Sequence, residues 1–438
     1  MKEPRRYGGR VGNAPVGVGV LGCGNVGAAL VELLSRDAGV IASRTGQRLE
    51  VRRVAVRNVA KERPVQLPPG TLTHDAEAVV ADPEIEVVVE VIGGIEPART
   101  LILQALKAGK PVVTANKELL ANVGGELFEA AAAAGVDLLY EASVAGGIPL
   151  IRPLRESLAG ERILRVMGIV NGTTNYILTR MTEQGASYSE ALAEAQSLGY
   201  AERDPTADVE GFDAGAKAAI LATIAFGRHV VAGDVYHEGI AGVTAVDISF
   251  AARLGYVVKL LALAELVDDR VAVRVHPAMI PNTHPLASVR DSFNAVFIEG
   301  EAVGELMLYG RGAGGMPTAS AVVGDLIDAA HNLRSGGAGR SVALSRARVC
   351  PLDELSSQYY LNMEVLDQPG VLAAIGGVFA DHDVSIRSME QVGLGEEAQL
   401  IFITHTARER DVQASLRELR HLDVVEQVGT VMRVIGPE

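Results

Sequence analysis

Val16-Gly-Val-Gly-Val-Leu21-Gly22-Cys23-Gly24-Asn25-Val26-Gly27 is the stretch that decides the fold. Its first six residues form an apolar run of the kind buried in a parallel sheet, and residues 28–34 beyond it repeat apolar side chains at helical spacing. Between strand and helix the glycines have separate tasks. Gly22 permits the tight turn, Gly24 lets the backbone approach a pyrophosphate, and Gly27 lets helix and strand pack closely. The helix start, with Asn25 and Val26, would meet phosphates with free N–H groups and the positive end of its dipole. A tight βα turn that binds nothing can have the same glycine spacing, but strand, motif and helix in this order favour a dinucleotide. Cys23 reads as a small filler of the turn.

Further βα units follow. The second strand is expected over residues 49–56, and at its end, where an NAD-selective enzyme carries an acid for the ribose 2′-hydroxyl, stand Arg57 and Asn58 with Lys61 just beyond. A guanidinium there pairs with a 2′-phosphate, which favours NADP and leaves NAD possible; the alternative is a solvated surface charge. Strands are expected at 87–92, 111–114 and 137–140, with helices at 97–108 and 126–134. Ligands of such sheets bind beyond the carboxyl ends of the strands, where Gly93, Gly94, Thr114 and Lys117 fall. Lys117 is either a site residue or an exposed lysine at a helix start.

Working outward, the chain has 438 residues, room for two to three domains at about 150 residues each. Its 40 Lys+Arg against 54 Asp+Glu give a net charge of −14, which argues against nucleic acid or an anionic membrane surface as the main partner. Two cysteines, Cys23 and Cys350, cannot build a disulfide framework, a four-cysteine zinc site or an iron–sulfur centre. Residues 1–10 are basic but lead into Val11-Gly-Asn-Ala-Pro15 rather than an apolar run, so no secretion signal is expected. No stretch approaches the roughly 18 apolar residues of a membrane span, and a cytoplasmic protein is expected. The 9 histidines show no zinc-ligand spacing and no Gly-x-Ser-x-Gly is present, which removes the usual markers of metal-dependent hydrolysis and serine catalysis. Hydride transfer with lysine acid–base chemistry remains.

The middle of the chain carries the polar residues for such chemistry. Glu141-Ala-Ser-Val144-Ala-Gly146-Gly-Ile148-Pro149 is a poor helix and a poor strand; its backbone carbonyls, with the Glu141 carboxylate, would hold a hard cation, or the stretch is a domain crossover. Asn171-Gly-Thr-Thr-Asn175 follows a strand at 165–170 and opens a helix at 176–183, so its side chains bind polar substrate atoms or cap that helix. From Gly199 through Glu202 to Lys217 an acid-rich loop runs into an apolar helix, and Asp213 and Lys217, four apart, share one face. They are a surface ion pair worth about 0.3–0.5 kcal/mol, or the lysine is partly desolvated and serves as a proton donor. Residues 271–308 are strand-like with Pro-broken turns, as in an antiparallel sheet that covers a site or pairs subunits. Gly310-Arg-Gly-Ala-Gly-Gly315-Met-Pro-Thr318 is a second glycine-rich loop before a helix over 317–334. It reaches the cofactor again or is an interdomain turn.

The expected fold class is α/β in three parts. A Rossmann-type parallel sheet over 1–140 is completed by a helix near 316–334; an α+β catalytic and dimerisation domain with an antiparallel sheet spans 141–315; a Gly-rich linker covers 335–356. Residues 357–438 read βαββαβ, which is ferredoxin-like.

In their order, Leu21-Gly-Cys-Gly-Asn-Val-Gly27, Glu90-Val-Ile-Gly-Gly94, Val113-Thr-Ala-Asn-Lys117, the Glu141 and Asn171 motifs, Gly199 to Lys217 and the Gly310 loop resemble homoserine dehydrogenases over nearly the whole chain. The last part resembles an ACT domain, with Asp367-Gln-Pro-Gly370 at its first turn. The resemblance implies reversible reduction of L-aspartate 4-semialdehyde to L-homoserine with NADPH or NADH. It implies Lys217 as proton donor, Lys117 as a second lysine near nicotinamide and substrate, and Glu202 and Asp213 on the substrate ammonium with Gly199 lining the site. Glu141, Val144, Gly146 and Ile148 match a monovalent-cation site, such as one for sodium, and Gly315 a cofactor-side backbone contact. A homodimer or homotetramer inhibited by L-threonine at the ACT domain is the implied assembly. Another NADP-dependent oxidoreductase on an amino-acid-derived carbonyl, or a non-catalytic amino-acid sensor, are the alternatives.

Overall fold

The computed structural model describes residues 14–337, 344–393 and 397–436. The basic stretch 1–10 and residues 338–343 of the 335–356 linker lie outside the described residues. Two compact units emerge, Met1–Arg152 with Ala313–Leu344, and Pro153–Gly312 with Ser345–Glu438.

In the first unit, strands β1 (Val16–Leu21), β2 (Leu49–Ala55), β3 (Leu72–Thr73), β4 (Val87–Glu90), β5 (Val112–Thr114) and β6 (Leu138–Leu139) form a parallel sheet in the order β3-β2-β1-β4-β5-β6. β1 and β4 are buried at every position, as continuous apolar runs in a sheet covered on both faces must be. The order reverses between β1 and β4, and the crevice beyond their carboxyl ends is where such sheets bind ligands. Helix Asn25–Arg36 packs Leu30, Val31 and Leu34 into the core, and helix Gly315–Ser335 adds Ala319, Val322, Leu326, Ala329 and Ala330 to the same cluster. The helix expected at 126–134 begins instead at Lys117 and runs to Ala134. Asn116 caps it by accepting the Leu119 amide at 3.1 Å; the pair Gly124-Gly125, poor in helix propensity, masks its first half in the sequence.

The second unit is built on an 11-stranded sheet. Its long strands are β7 (Ile163–Ile169), β8 (Tyr256–Val267), β9 (Arg270–Pro281), β10 (Phe293–Gly300), β11 (Gly304–Arg311), β12 (Ser356–Leu366), β13 (Ile386–Gly393), β14 (Glu397–Thr404) and β15 (Val425–Val434). They are ordered β11-β10-β7-β8-β9-β15-β12-β14-β13. Helices Gly172–Gln184 and Phe212–Phe226 belong to this unit, and Met167, Ile169, Leu261, Leu263, Ala278 and Ile280 form part of its core. β8, apolar and buried through its centre, is the longest partner of β9 and was not foreseen in the sequence.

The carboxyl-terminal part of that sheet has the βαββαβ order, with helices Val371–Asp381 and Glu409–Leu419 and its own core around Leu361, Ile375, Phe379 and Phe402. It joins the rest through a parallel contact of β15 with β9, in the register Ala278↔Arg433 and Met279↔Val434. Asp247 secures the join. Fully buried, it accepts hydrogen bonds from Tyr360 Oη at 2.9 Å, Asn362 Nδ2 at 3.0 Å and Thr430 Oγ1 at 2.6 Å. Among the described residues no helix is long and apolar enough to cross a membrane.

Candidate functional site

The three glycines of the first turn differ in the way the sequence predicts. Gly22 has φ +106°, and a β-carbon there would stand 2.7 Å from the Val91 carbonyl; one on Gly27 would collide with the Gly22 carbonyl. At Gly24 an added β-carbon meets nothing within 4 Å, so the space is open to a ligand. No side chain caps helix Asn25–Arg36, and its first closing bond is Ala28 N–H to Gly24 O at 2.9 Å. The amides of Asn25, Val26 and Gly27 therefore precede the intrahelical ladder and suit an anion. Gly315, which opens helix Gly315–Ser335, lies against this corner: a β-carbon on it would be 3.0 Å from Asn25 O.

The neighbouring loops are fixed by a buried acid. Glu90, at the end of β4, accepts Ile92 N–H at 2.7 Å and Gly93 N–H at 3.1 Å on Oε1, and the Thr114 hydroxyl at 2.6 Å on Oε2. Gly93 and Gly94 take φ of +83° and +72°, and Asn116 Nδ2 donates to Gly94 O at 2.6 Å. Lys117 follows as the half-buried first residue of its helix. Arg57 stands exposed just past β2 and has no hydrogen bond or ion pair to a described residue, while Arg63 folds back on the carbonyls of Lys61 and Asn58. Cys23 is half-buried; burial raises its thiol pKa, opposed by Arg63.

The Glu141 stretch is a buried turn. The Glu141 carboxylate, read above as a cation ligand, is taken up by backbone amides: Leu150 N–H at 2.5 Å and Ile151 N–H at 2.9 Å on Oε1, and Arg152 N–H at 2.8 Å on Oε2. Three of the carboxylate's lone-pair sites are thereby used, and the main-chain carbonyls of the turn stand beside it as further oxygen donors. Val144, Ala145 and Ile148 are buried, and Ala145 takes a positive φ of 51° that turns the backbone back on itself. Asp325 of helix Gly315–Ser335 anchors the turn by accepting Glu141 N–H at 2.8 Å and Arg152 Nη2 at 3.0 Å. Burial is the main cause that pushes the Asp325 carboxyl up to about 7. Among the described residues no group of three or more His, Cys, Asp or Glu could hold a metal ion.

In the second unit the start of helix Phe212–Phe226 faces the Asn171 motif. Lys217 Nζ donates to Asp213 Oδ2 at 2.6 Å and to Val170 O at 2.7 Å, and only 12% of the lysine and 11% of the aspartate side chain are exposed. That burial removes the surface-pair alternative. Asn171 Nδ2 donates to the same Asp213 Oδ2 at 2.9 Å and to Asp208 Oδ1 at 2.7 Å. Burial raises the Asp208 pKa. Gly199, at φ +76°, ends the preceding helix, and Thr173 Oγ1 donates to Tyr200 O at 2.7 Å, fastening the Gly199 turn to the motif. Glu202 is exposed, and its carboxylate has no hydrogen bond or ion pair to a described residue.

The Asn171 motif thus divides. Asn171 and Thr173 serve the polar cluster, whereas Asn175 donates to the carbonyls of Val289, Asp291 and Phe293 and accepts Lys259 Nζ at 3.0 Å. Burial lowers the Lys259 pKa to about 8, and the pair pins a loop. Glu90, Asn116 and Asp208 lie in motifs read from the sequence but were given no role there. An acid closing an all-apolar strand and an asparagine one residue before a helix are the signals that point to the first two.

Three family models match the chain: homoserine dehydrogenase over residues 149–327, the NAD-binding domain of homoserine dehydrogenase over 22–141, and the ACT domain over 359–423. A homoserine dehydrogenase of Mycobacterium tuberculosis is 50% identical over 434 residues, covering 96% of this chain and 98% of the relative. The crystal structure of a homoserine dehydrogenase from Thiobacillus denitrificans superposes with a TM-score of 0.91 at 43% identity, covering 96% of this chain and 98% of that one. A hyperthermophilic archaeal homoserine dehydrogenase in complex with NADPH superposes with a TM-score of 0.60 at 29% identity, over 72% of this chain and 98% of that one.

Proposed function

The chain belongs to the homoserine dehydrogenase family, as an NAD(P)-dependent enzyme with a carboxyl-terminal ACT domain, and from that premise we propose how its residues divide the reaction. The reaction is the reversible reduction of L-aspartate 4-semialdehyde to L-homoserine. When bound, NAD(P)H supplies a hydride to the aldehyde carbon. Lys217 supplies the proton to the aldehyde oxygen, which completes the alcohol. The observation that carries this assignment is the buried ammonium of Lys217: Val170 O and Asp213 Oδ2 engage two of its three N–H donors and aim the third.

Asp213, with Oδ2 committed to Lys217 and Asn171, orients the proton donor and contributes negative charge toward the substrate ammonium. Glu202, whose carboxylate is exposed, receives that ammonium, and Gly199 supplies the turn beside it. Lys117 serves at the nicotinamide end. Gly22, Gly24, Asn25, Val26 and Gly27 take the pyrophosphate, with Gly93, Thr114 and Gly315 lining the cofactor. The open Cβ position of Gly24 and the uncapped helix start fit that group. Arg57, without a protein partner among the described residues, selects NADP over NAD through a 2′-phosphate. The NADPH complex of the archaeal relative is consistent with this choice.

A monovalent cation such as sodium would take the main-chain carbonyls of Glu141, Val144, Gly146 and Ile148. Neutral oxygen donors suit a singly charged hard ion. L-Threonine is proposed as the feedback inhibitor, in a cavity of about 560 Å³ lined by Asp367, Pro369, Gly370, Gln391 and Leu400. A homodimer or homotetramer is proposed as the assembly, because edge strand β11 leaves Met307 and Tyr309 exposed. The deciding experiment follows NADPH absorbance with NADP⁺ and L-homoserine as substrates. Turnover with L-homoserine and none with other small 3- or 4-carbon alcohols supports the reading; no L-homoserine-dependent NADPH formation overturns it.

A further inference from the structure

An ionic chain, buried at Glu409 and Arg433 and partly exposed at Glu238, leads from the carboxyl-terminal domain toward the polar cluster of helix Phe212–Phe226. Arg433, on β15 and 3% exposed, donates Nε and Nη2 to the two oxygens of Glu409 at 2.9 and 2.8 Å. Glu409 opens helix Glu409–Leu419 and also accepts Tyr359 Oη at 2.8 Å, so this end belongs wholly to the ACT fold. The remaining face of the guanidinium leaves that domain: Nη1 donates to Glu238 Oε1 at 2.8 Å. Glu238 also accepts Tyr236 Oη at 2.6 Å, and Arg433 lies 5.6 Å over the Tyr236 ring.

The segment 236–240 that carries Glu238 is pressed against residues 209–212. Ile240 N–H donates to Val209 O at 2.8 Å, and a β-carbon on Gly239 would stand 2.8 Å from Glu210 Cα, so the two backbones are in contact. Gly211, at φ +84°, has Glu238 O 3.2 Å from its Cβ direction, and the rings of Phe212 and His237 are 4.5 Å apart. Residues 209–212 lie between Asp208 and Asp213. A shift of Glu238 is therefore passed, through backbone contacts, to the segment that joins the two carboxylates sharing Asn171.

We infer that Glu238 and Arg433 are positioning residues: the carboxyl-terminal domain, through their ion pair, sets the placement of residues 208–213 and so the enzyme's affinity for the amino-acid substrate. This rests on the assignment of Asp213 and Lys217 to the substrate site. An exposed pair of this kind contributes little, but a desolvated guanidinium forked between two carboxylates fixes geometry.

The test is steady-state kinetics on the full-length chain with Glu238→Gln, which keeps the side-chain shape and removes the charge facing Arg433. The expected result is a KM for L-homoserine raised about fivefold or more, with the KM for NADP⁺ within about twofold, and partial recovery in Glu238→Asp. Tyr236→Phe, which deletes only the hydroxyl held by Glu238, should shift the same KM in the same direction by less. Asp213→Asn is measured in parallel. Should it impair turnover while Glu238→Gln and Tyr236→Phe leave the homoserine KM unchanged, the link is wrong and the substrate site stands. An Asp213→Asn enzyme with unaltered kcat and homoserine KM overturns the site assignment and this inference together.

Discussion

Glu90 and Thr114, on the adjacent parallel strands β4 and β5, are both fully buried and share a hydrogen bond of 2.6 Å between carboxylate and hydroxyl. The same carboxylate fixes the Ile92 and Gly93 amides, so one side chain shapes the crevice beyond both strands. Glu90→Ala strands a buried hydroxyl and releases the Gly93 turn. It is predicted to cost about 2–4 kcal/mol in stability and to raise the KM for NADPH more than that for homoserine. Glu90→Gln should lose less, because the Thr114 hydroxyl can accept as well as donate. Denaturant unfolding with parallel kinetics checks both; an alanine variant as stable as the parent would contradict the account.

Lys217→Ala should lower kcat by about 10²–10⁴-fold or more, since the proton to the aldehyde oxygen loses its donor. NADPH binding, followed by the change in its fluorescence, should be nearly unaltered. Unchanged kcat would remove Lys217 from the chemistry.

Arg57→Ala is predicted to reduce the ratio of kcat/KM for NADPH over NADH by about tenfold or more, the loss of one charge-assisted contact to the 2′-phosphate. The kinetics of both cofactors on both proteins decide it, and an unaltered ratio places selectivity elsewhere.

Asp325 gives a pH dependence with a definite sign. Burial raises its folded pKa to about 7 against about 3.9 in the unfolded chain, so the native state holds more protons between those values. Its contribution to stability is full below about pH 4 and is lost as pH rises toward and through about 7. Asp325→Asn should flatten that part of the profile. Melting curves of both proteins between pH 5.5 and 8 test this: the variant's Tm should gain on the parent's as pH rises, and parallel profiles would refute it.

In the ACT cavity, Gln391 Nε2 lies 3.4 Å from Asp367 Oδ1, with Gly370 at the start of the adjoining helix. Gln391→Ala is predicted to weaken L-threonine inhibition about tenfold or more and to leave kcat within about twofold. Deleting the whole domain is predicted to do more. A chain ended at Leu355 deprives β9 of its partner β15 and Asp247 of Tyr360, Asn362 and Thr430, and its Tm should fall. Inhibition assays on the point variant and calorimetry on the shortened chain separate the two effects.

Much of this was legible in local signals. Glycine spacing between an apolar run and an amphipathic helix placed Gly22, Gly24 and Gly27, because each task is set by the backbone within a few residues. The i, i+4 spacing of Asp213 and Lys217 foretold their contact, while an otherwise apolar helix foretold their burial. Other features depend on how the chain folds back. The amides of Leu150, Ile151 and Arg152 reach the Glu141 carboxylate only once the chain turns, so the sequence does not show them there. Arg433 and Glu238 are ordinary surface types in the sequence, and only the β9–β15 contact brings them together.

The helix Gly315–Ser335 completes the first unit's core from the far side of the chain: Ala319, Val322 and Leu326 pack with Val18, Val20 and Leu30. During synthesis the amino-terminal sheet therefore leaves the ribosome long before its missing wall is made. It waits with one apolar face uncovered while residues 153–312 emerge. Closing so distant a contact is slow, and in that interval the exposed apolar face is open to aggregation. Any ligand that binds only the completed first unit would favour the closed form by mass action.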